Sequence, residues 1–494
     1  MKSFDVTILG GGFAGGLLAW VLAKQGVRVL LLHRGCFGQF AIGESSTPMA
    51  DLLLRQIGGR YDMPELVSLS TYPTWKASFP NLRCGKKRGF SYFHHDASDA
   101  TQTRGNQSLL VTASPSDQWS DTHWMRSDID QYLIDRARHC GAICMEEVEV
   151  VAVTGGTPAE IRYRTAPDDN ARVESVSTRW LVNATGRFGV LPDEFVEAID
   201  RRDVTERLRT QTRSTFAHLH DVRSWSSLRE RFGFKIGREP FDADDAAQHH
   251  LTADGWMWML RFDGHDRGGI TSVGWTQPIA RPVADWRGRS ALHAMLDGAT
   301  LAESTPSWIS IPRVQRMQLP VVLENYVALP TAVATIDPLH STGIAHGLLG
   351  VARLAEVFLA ADGECGEALQ RYAQAVELEV LQIDRMVAMA YRSLQSMNRF
   401  EAISMLYFAA AIASEEWLAG GGDLGRAFWL ADQSGFVDLL SQTERQLDAD
   451  VPDETLWDWL EPRLDPYQNA GLLNREANGM YWYTGEAKQS AGRL

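Results

Sequence analysis

Cysteine is scarce. The chain has five in 494 residues (Cys36, Cys84, Cys140, Cys144 and Cys365), an odd number with no C-x-x-C pair. That excludes a disulfide framework and fits a reducing, cytoplasmic compartment. Long apolar runs are missing too, since none approaches the roughly 18 residues a membrane span needs. No basic region followed by a cleavage site opens the chain, so no signal peptide is expected. Basic charge is in deficit: 48 Lys and Arg against 62 Asp and Glu leave a net charge of −14, which argues against a nucleic-acid partner. Ligand sets for a metal are lacking. Cys140 and Cys144 have no histidine at zinc-site spacing, and His218 and His220 share a strand face without a third ligand. The pairs His94-His95 and His249-His250 point to opposite faces if extended. No metal and no membrane partner are expected.

What is present starts at the N-terminus. Asp5-Val6-Thr7-Ile8-Leu9 reads as a buried strand, Gly10-Gly11-Gly12-Phe13-Ala14-Gly15 as a turn, Leu17 to Ala23 as a helix, and Arg28 to Leu32 as a second strand. That is a βαβ unit with G-x-G-x-x-G at the strand-to-helix turn, the setting in which the motif signals a dinucleotide. Gly10 permits the turn, Gly12 a close backbone approach to a pyrophosphate, and Gly15 close packing of helix on strand. The same spacing at Gly420–Gly425 follows a helical run and reads as a helix C-cap and loop. The acidic residue expected at the end of the second strand is replaced by His33-Arg34.

Further along, Gly43-Glu44-Ser45-Ser46-Thr47-Pro48 opens a helix over Met49 to Gln56, either as a plain N-cap or as part of a site. Phe90 and Tyr92 alternate on a strand preceded by Lys86-Lys87-Arg88, which taken alone reads as a solvated turn. Arg126 precedes a helix that Asp128 is placed to cap. Val148–Val153 and Ala159–Arg164 read as a hairpin, and Trp180 to Arg187 as a strand returning to the first one. From about 205 to 325 the pattern is strand-rich. There Trp256 and Trp258 share a face, as a pocket wall or as a core pair. Asp337 to Gly343 leads into an apolar helix whose N-terminus suits negative charge. From 361 onward the chain reads as helical, with an aromatic tail.

Together these landmarks resemble the FAD-dependent monooxygenase superfamily that contains the flavin-dependent, tryptophan-halogenase-like enzymes. The residues that carry the resemblance are Gly10–Gly15, Gly43-Glu44-Ser45, Lys87-x-Gly89, Arg126, Asn183-Ala184-Thr185-Gly186, Trp256-x-Trp258 and Asp337-Pro338-x-x-Ser341-Thr342-Gly343. The resemblance implies an α/β fold: a Rossmann-like FAD-binding domain in three parts (1–80, 126–205 and 326–360), substrate-domain strands at 81–125, a β-rich substrate domain at 206–325, and a helical region at 361–494. FAD is expected along Gly10, Gly12, Phe13, Ala14 and Gly15, with His33 and Arg34, Glu44 and Ser45, Arg126 near the phosphates, Gly186, and the ring against Asp337, Ser341, Thr342 and Gly343.

Reduced flavin, supplied by NAD(P)H directly or by a partner reductase, would react with O2 to a C4a-hydroperoxide. Lys87 matches the lysine that handles hypohalous acid in the halogenases, and His340 and His346 join it as catalytic candidates. Trp256, Trp258 and Tyr92 are the expected substrate pocket. Two departures stand out. Leu260-Arg261 replaces Ile-Pro in the motif that separates substrate from flavin, and His340 stands where tryptophan halogenases carry glutamate. The leading expectation is therefore an FAD-dependent monooxygenase hydroxylating an electron-rich ring, an indole or phenol. That ring includes a peptide-borne tryptophan, as in maturation of quinohemoprotein amine dehydrogenase. A halogenase is the alternative, and a flavin-binding maturation or interaction protein with little turnover is the second.

Overall fold

The computed structural model describes residues 1–95, 107–165, 172–186, 202–234, 237, 239–263, 269–360 and 365–483. Arg187 lies outside them. The first sheet is built around the strand Lys2–Leu9, which is flanked in parallel by Val29–Leu32 and Val173–Asn183. Ile143–Met145 and Tyr326–Ala328 extend it on either side, also in parallel. Its central residues are apolar on both faces because helices cover both, the usual state of a parallel sheet. The helix Phe13–Lys24 is buried from Phe13 to Ala23, wedged between the sheet and the helices Arg126–His139 and Gly343–Leu359. Leu17, Leu18 and Leu22 are fully buried there, each contributing roughly 1.5–3 kcal/mol.

Tight packing explains one glycine directly. A Cβ on Gly15 would stand 2.1 Å from the Gly10 carbonyl oxygen, so any larger residue would push helix and strand apart. Gly10 itself sits at φ +111°, where L-residues are strained.

The second sheet has nine strands. In order across it run Thr300–Leu301, Thr212–His220, Thr271–Pro278, Gly255–Arg261, Ala247–Thr252, Gly89–His94, Ser108–Thr112 and Met480–Tyr481, with Ile309–Ile311 also on Thr212–His220. Side-chain alternation splits its two faces. Phe90, Tyr92, Phe216, Trp256, Trp258 and Leu260 turn into the main core, while Phe93, Ala217, Met257, Met259 and Trp275 enter a second core with Val222, Trp225, Phe234 and Phe241. The last strand comes from the chain's far end, inside the stretch expected to be helical. Met480 and Tyr481 pair in parallel with Leu110 and Val111 and close the sheet edge.

The helices Cys365–Arg392, Met397–Ala419, Ser434–Asp448 and Asp453–Leu464 form the C-terminal layer, and Met397–Ala419 packs on the helix Pro48–Arg60. One expected cap is absent. The helix Arg126–His139 begins at Arg126, and the Asp128 carboxylate accepts from Arg83 Nε and Nη2 at 2.8 and 2.6 Å and from the Ser127 hydroxyl, and caps no backbone N–H of its helix. Among the described residues no helix is long and apolar enough to cross a membrane.

Candidate active site

Gly12 is the N-cap of the helix Phe13–Lys24, and no side chain caps it. The first-turn N–H groups therefore keep their positive partial charge for an outside anion. A Cβ on Gly12 would stand at van der Waals distance, 3.7 Å from Arg126 Nη2 and 3.8 Å from Asp130 Oδ2, on the side from which an anion would approach. Phe13 and Ala14 are buried behind it. Gly11 N–H donates to His33 Nδ1 at 3.2 Å, and the imidazole stacks on Phe37. Burial lowers the His33 pKa, so the ring is neutral and ties the second strand to the turn. Arg34 is exposed.

Arg126 lies beside the turn, over the Phe13 ring at 4.8 Å. Its Nε and Nη2 donate to Asp130 at 2.8 and 2.7 Å, and Nη1 to the Ile42 and Gly43 carbonyls. Burial pulls its pKa down and Asp130 more than offsets this, so the guanidinium is a fixed cation holding the 42–44 loop. In that loop Glu44 accepts from His218 Nε2 at 2.6 Å, with both side chains buried, and His218 Nδ1 lies 2.9 Å from Ser304 Oγ. His218 is thus spent on a carboxylate, and among the described residues no metal-ligand cluster exists. Ser45 Oγ is buried without a hydrogen-bond partner. Gly186, at φ +59°, has open space at its Cβ position.

Lys87 ends a strand, Cys84–Lys87, where a solvated turn was one reading, and its side chain is fully buried. Its Nζ donates to the Ser46 carbonyl at 2.5 Å and stands 3.9 Å from the centroid of the Phe90 ring. Lys86, its neighbour, points the other way to Asp117 and Asp245.

The 337–343 loop is fixed from several sides. Asp337 Oδ2 accepts from Thr212 Oγ1 and Gln315 Nε2 at 2.8 and 2.9 Å, and both its oxygens lie within reach of Tyr391 O–H. Burial pushes its carboxyl up to about 7 against these donors. Ser341 is left-handed at φ +56°, and Gly343 faces open space. His340 is fully buried. Its Nδ1 and the Tyr92 hydroxyl are hydrogen-bonded at 3.1 Å, and its Nε2 is buried without a partner. Burial, with His249 nearby, lowers the His340 pKa to about 3, so the ring is neutral.

His346, the third expected catalytic residue, is bonded elsewhere. Its Nε2 donates to Glu379 at 3.1 Å, and Glu379 also accepts from Arg353 Nη1 and Nη2 and from Phe428 N–H. Burial raises the Glu379 pKa, but Arg353 and His346 outweigh it and hold the carboxylate at about 2. This charged knot joins two helices and the 424–430 segment, and His346 does not reach the groove.

That groove has about 1000 Å³ of empty space, counted out to bulk solvent. Phe90, Tyr407, Phe408, Trp429, Tyr481 and Trp482 supply its aromatic lining, and Thr47 to Leu52 one side. Trp256, Trp258 and Tyr92 are not among its walls. They sit behind it: Trp256 Nε1 donates to Tyr391 O–H at 2.6 Å, Trp258 packs against Gly274, and Tyr92 stacks on His249. The departures at 260 and 261 leave this layer closed. Leu260 is buried, while Arg261 turns outward to the Val222 and Arg223 carbonyls and to Asp244.

Sequence reasoning missed the lining from the C-terminal helices. Tyr407 and Phe408 follow an ordinary apolar helical pattern, and Trp429 is set by a left-handed backbone (φ +54°) that no motif announces. The aromatic tail at 481–483 was the one visible signal.

The family model described as tryptophan halogenase matches residues 243–399. Monodechloroaminopyrrolnitrin halogenase PrnC of Pseudomonas fluorescens is 24% identical over 430 residues, which is 83% of this chain and 72% of that protein. Tetracycline 7-halogenase of Kitasatospora aureofaciens is 27% identical over 394 residues, 76% and 67% of the two chains. In fold, the crystal structure of halogenase PltM in complex with phloroglucinol and FAD superposes with a TM-score of 0.82 at 21% identity, covering 97% of this chain and 99% of that one. Over most of its length the chain is thus similar to flavin-dependent halogenases, and it shares the fold of a halogenase that binds FAD. None of the relatives named here is an amine-dehydrogenase maturation flavoprotein, and that part of the expectation has no support.

Proposed function

We propose that this protein is an FAD-dependent halogenase that uses O2 and a halide to substitute an electron-rich aromatic ring, a free phenol or indole. The expectation of direct hydroxylation loses its main physical support, because the altered separator motif opens no path through the Trp256–Trp258 layer. Similarity to PrnC, tetracycline 7-halogenase and PltM favours halogen transfer as well.

FAD fits the uncapped helix end and glycine cradle at Gly10, Gly12, Phe13, Ala14 and Gly15, with His33, Arg34, Glu44, Ser45, Arg126 and Gly186 along it and Asp337, Ser341, Thr342 and Gly343 beside its ring. The segments 1–80, 126–205 and 326–360 make up the flavin-holding part in this reading. Bound and reduced, FAD supplies the electrons that turn O2 into an oxidant of halide. NAD(P)H or a partner reductase provides them.

Lys87 carries the proposal. A fully buried ammonium, on the Phe90 ring that itself lines the groove, holds and polarises a hypohalous acid next to the substrate's path. Phe90, Tyr407 and Phe408 hold the acceptor ring by stacking and edge contacts. Its carbon takes the halogen as the oxygen–halogen bond of the hypohalous acid breaks, and the ring proton and the released hydroxide leave as water. His340 stays a neutral, stacked ring throughout and moves no proton.

The test is turnover with FAD, NADH, a flavin reductase and a panel of phenols and indoles, with bromide or chloride present and absent. The expected product carries halogen and disappears without halide. A hydroxylated product formed equally in halide-free buffer would overturn the reading in favour of direct oxygen transfer.

A further inference from the structure

Tyr407 belongs to the helix Met397–Ala419, far in sequence from every motif above, yet it bridges the groove and the 337–343 loop. Its ring lines the groove and stacks on the His340 imidazole, with centroids 4.4 Å apart and planes at 22°. Its hydroxyl donates to the His340 carbonyl at 3.2 Å and meets Thr342 Oγ1 at 2.7 Å. These two partners flank Ser341, the residue held left-handed at φ +56°, ψ +31°. Serine does not keep that conformation unaided, and it persists where the surroundings over-determine it. Trp429 also lies within hydrogen-bonding reach of the hydroxyl, and burial raises its pKa above the ordinary tyrosine range, which keeps it a neutral donor. On the far side of the turn, Thr342 is not used as a side-chain cap for the helix Gly343–Leu359, so its hydroxyl is committed to Tyr407.

We infer that Tyr407 is a positioning residue: its hydroxyl clamps both neighbours of Ser341 and so fixes the turn that presents the 341–343 backbone to the flavin and halide. This rests on the halogenase reading for the identity of the anion, but the clamp itself is independent of it. Loss of the hydroxyl should loosen the turn while the ring goes on lining the groove.

The experiment compares wild type, Tyr407→Phe, Ser341→Gly and Tyr407→Phe/Ser341→Gly, all loaded with FAD. In Tyr407→Phe the KM for bromide is expected to rise about tenfold, the worth of one hydrogen bond, with the KM for the aromatic substrate within about twofold. The visible absorbance band of bound oxidised FAD shifts in the same variant. Glycine adopts the left-handed conformation without strain, so Ser341→Gly recovers part of the loss in that background. A rise in the aromatic KM with bromide KM unchanged would make Tyr407 a mere groove wall and overturn the inference. So would losses from Tyr407→Phe and Ser341→Gly that simply multiply. If wild type turns over without halide, the halogenase reading fails on its own. The flavin band then decides the clamp, and an unshifted band in Tyr407→Phe overturns it.

Discussion

The dinucleotide side and the groove side of this molecule are built in opposite ways. The first is local: strand, glycine turn, helix and second strand follow one another within residues 2–32, and the site is largely backbone. The groove draws its walls from Thr47 to Tyr483, and its chemistry lies in side chains brought together by packing. A backbone site is fragile to an added methyl group and indifferent to distant changes. A packed groove is the reverse, since it depends on anchors well away from its surface. The variants below probe that contrast, from the largest expected effect to the smallest.

Glu379 is the strongest anchor on the groove side. Glu379→Ala leaves Arg353 buried without its carboxylate and frees Phe428 N–H, which should cost about 3–5 kcal/mol in chemical denaturation. His346→Ala, by contrast, should cost less and leave the dependence of turnover on halide and O2 intact, because the imidazole is bonded to Glu379. Equal stability of wild type and Glu379→Ala would show that the helices hold the groove without this knot.

Next comes Lys87→Met, which keeps the length of the side chain and removes its charge. Product formation should fall at least about a hundredfold, the scale of losing a group that acts on the reacting species, while FAD content is unchanged. Retained halogenation in this variant would remove the groove side's only assigned chemistry.

Gly15→Ala strikes the other side. Its Cβ meets the Gly10 carbonyl oxygen at 2.1 Å, so the turn must shift, and FAD affinity measured by fluorescence should weaken about tenfold or more. Binding of an aromatic ligand in the groove should be little affected. If it weakens as much as FAD does, the two sides are not separable in the way their construction implies.

These differences also explain what could be read in advance. Gly10–Gly15 was legible because its meaning is fixed by the strand before and the helix after. The buried strand position of Lys87 was harder to read, because a Lys-Lys-Arg run alone looks like solvated surface. The bond of His346 to Glu379 could not be read in advance, because the two lie 33 residues apart, across a helix pair. Tyr407, Phe408 and Trp429 carry no local mark. Their roles come from where the 397–419 helix and the 424–430 segment pack, and periodicity reports burial without reporting what is buried against what.

The smallest expected effect concerns the rim, where the Met480–Tyr481 strand is pinned to the groove. Tyr481 O–H donates to Glu401 at 2.8 Å, and Thr112 Oγ1 donates to the Tyr481 carbonyl at 2.7 Å. Burial raises the Glu401 carboxyl from 4.5 to about 7, with the Tyr481 hydrogen bond opposing it. The folded protein therefore keeps this proton to higher pH than the unfolded chain does. Between 4.5 and about 7 the unfolded state binds fewer protons, so this group's contribution to stability falls as pH rises across that window. Glu401→Gln carries a neutral acceptor for Tyr481 at every pH. It should match wild type near about pH 4 and exceed it by about 1–3 kcal/mol near about pH 8. A Glu401→Gln protein that is less stable at the higher pH would mean that an ionised carboxylate holds the rim strand. The groove side would then rest on charge at its edge as well as at the Glu379 knot.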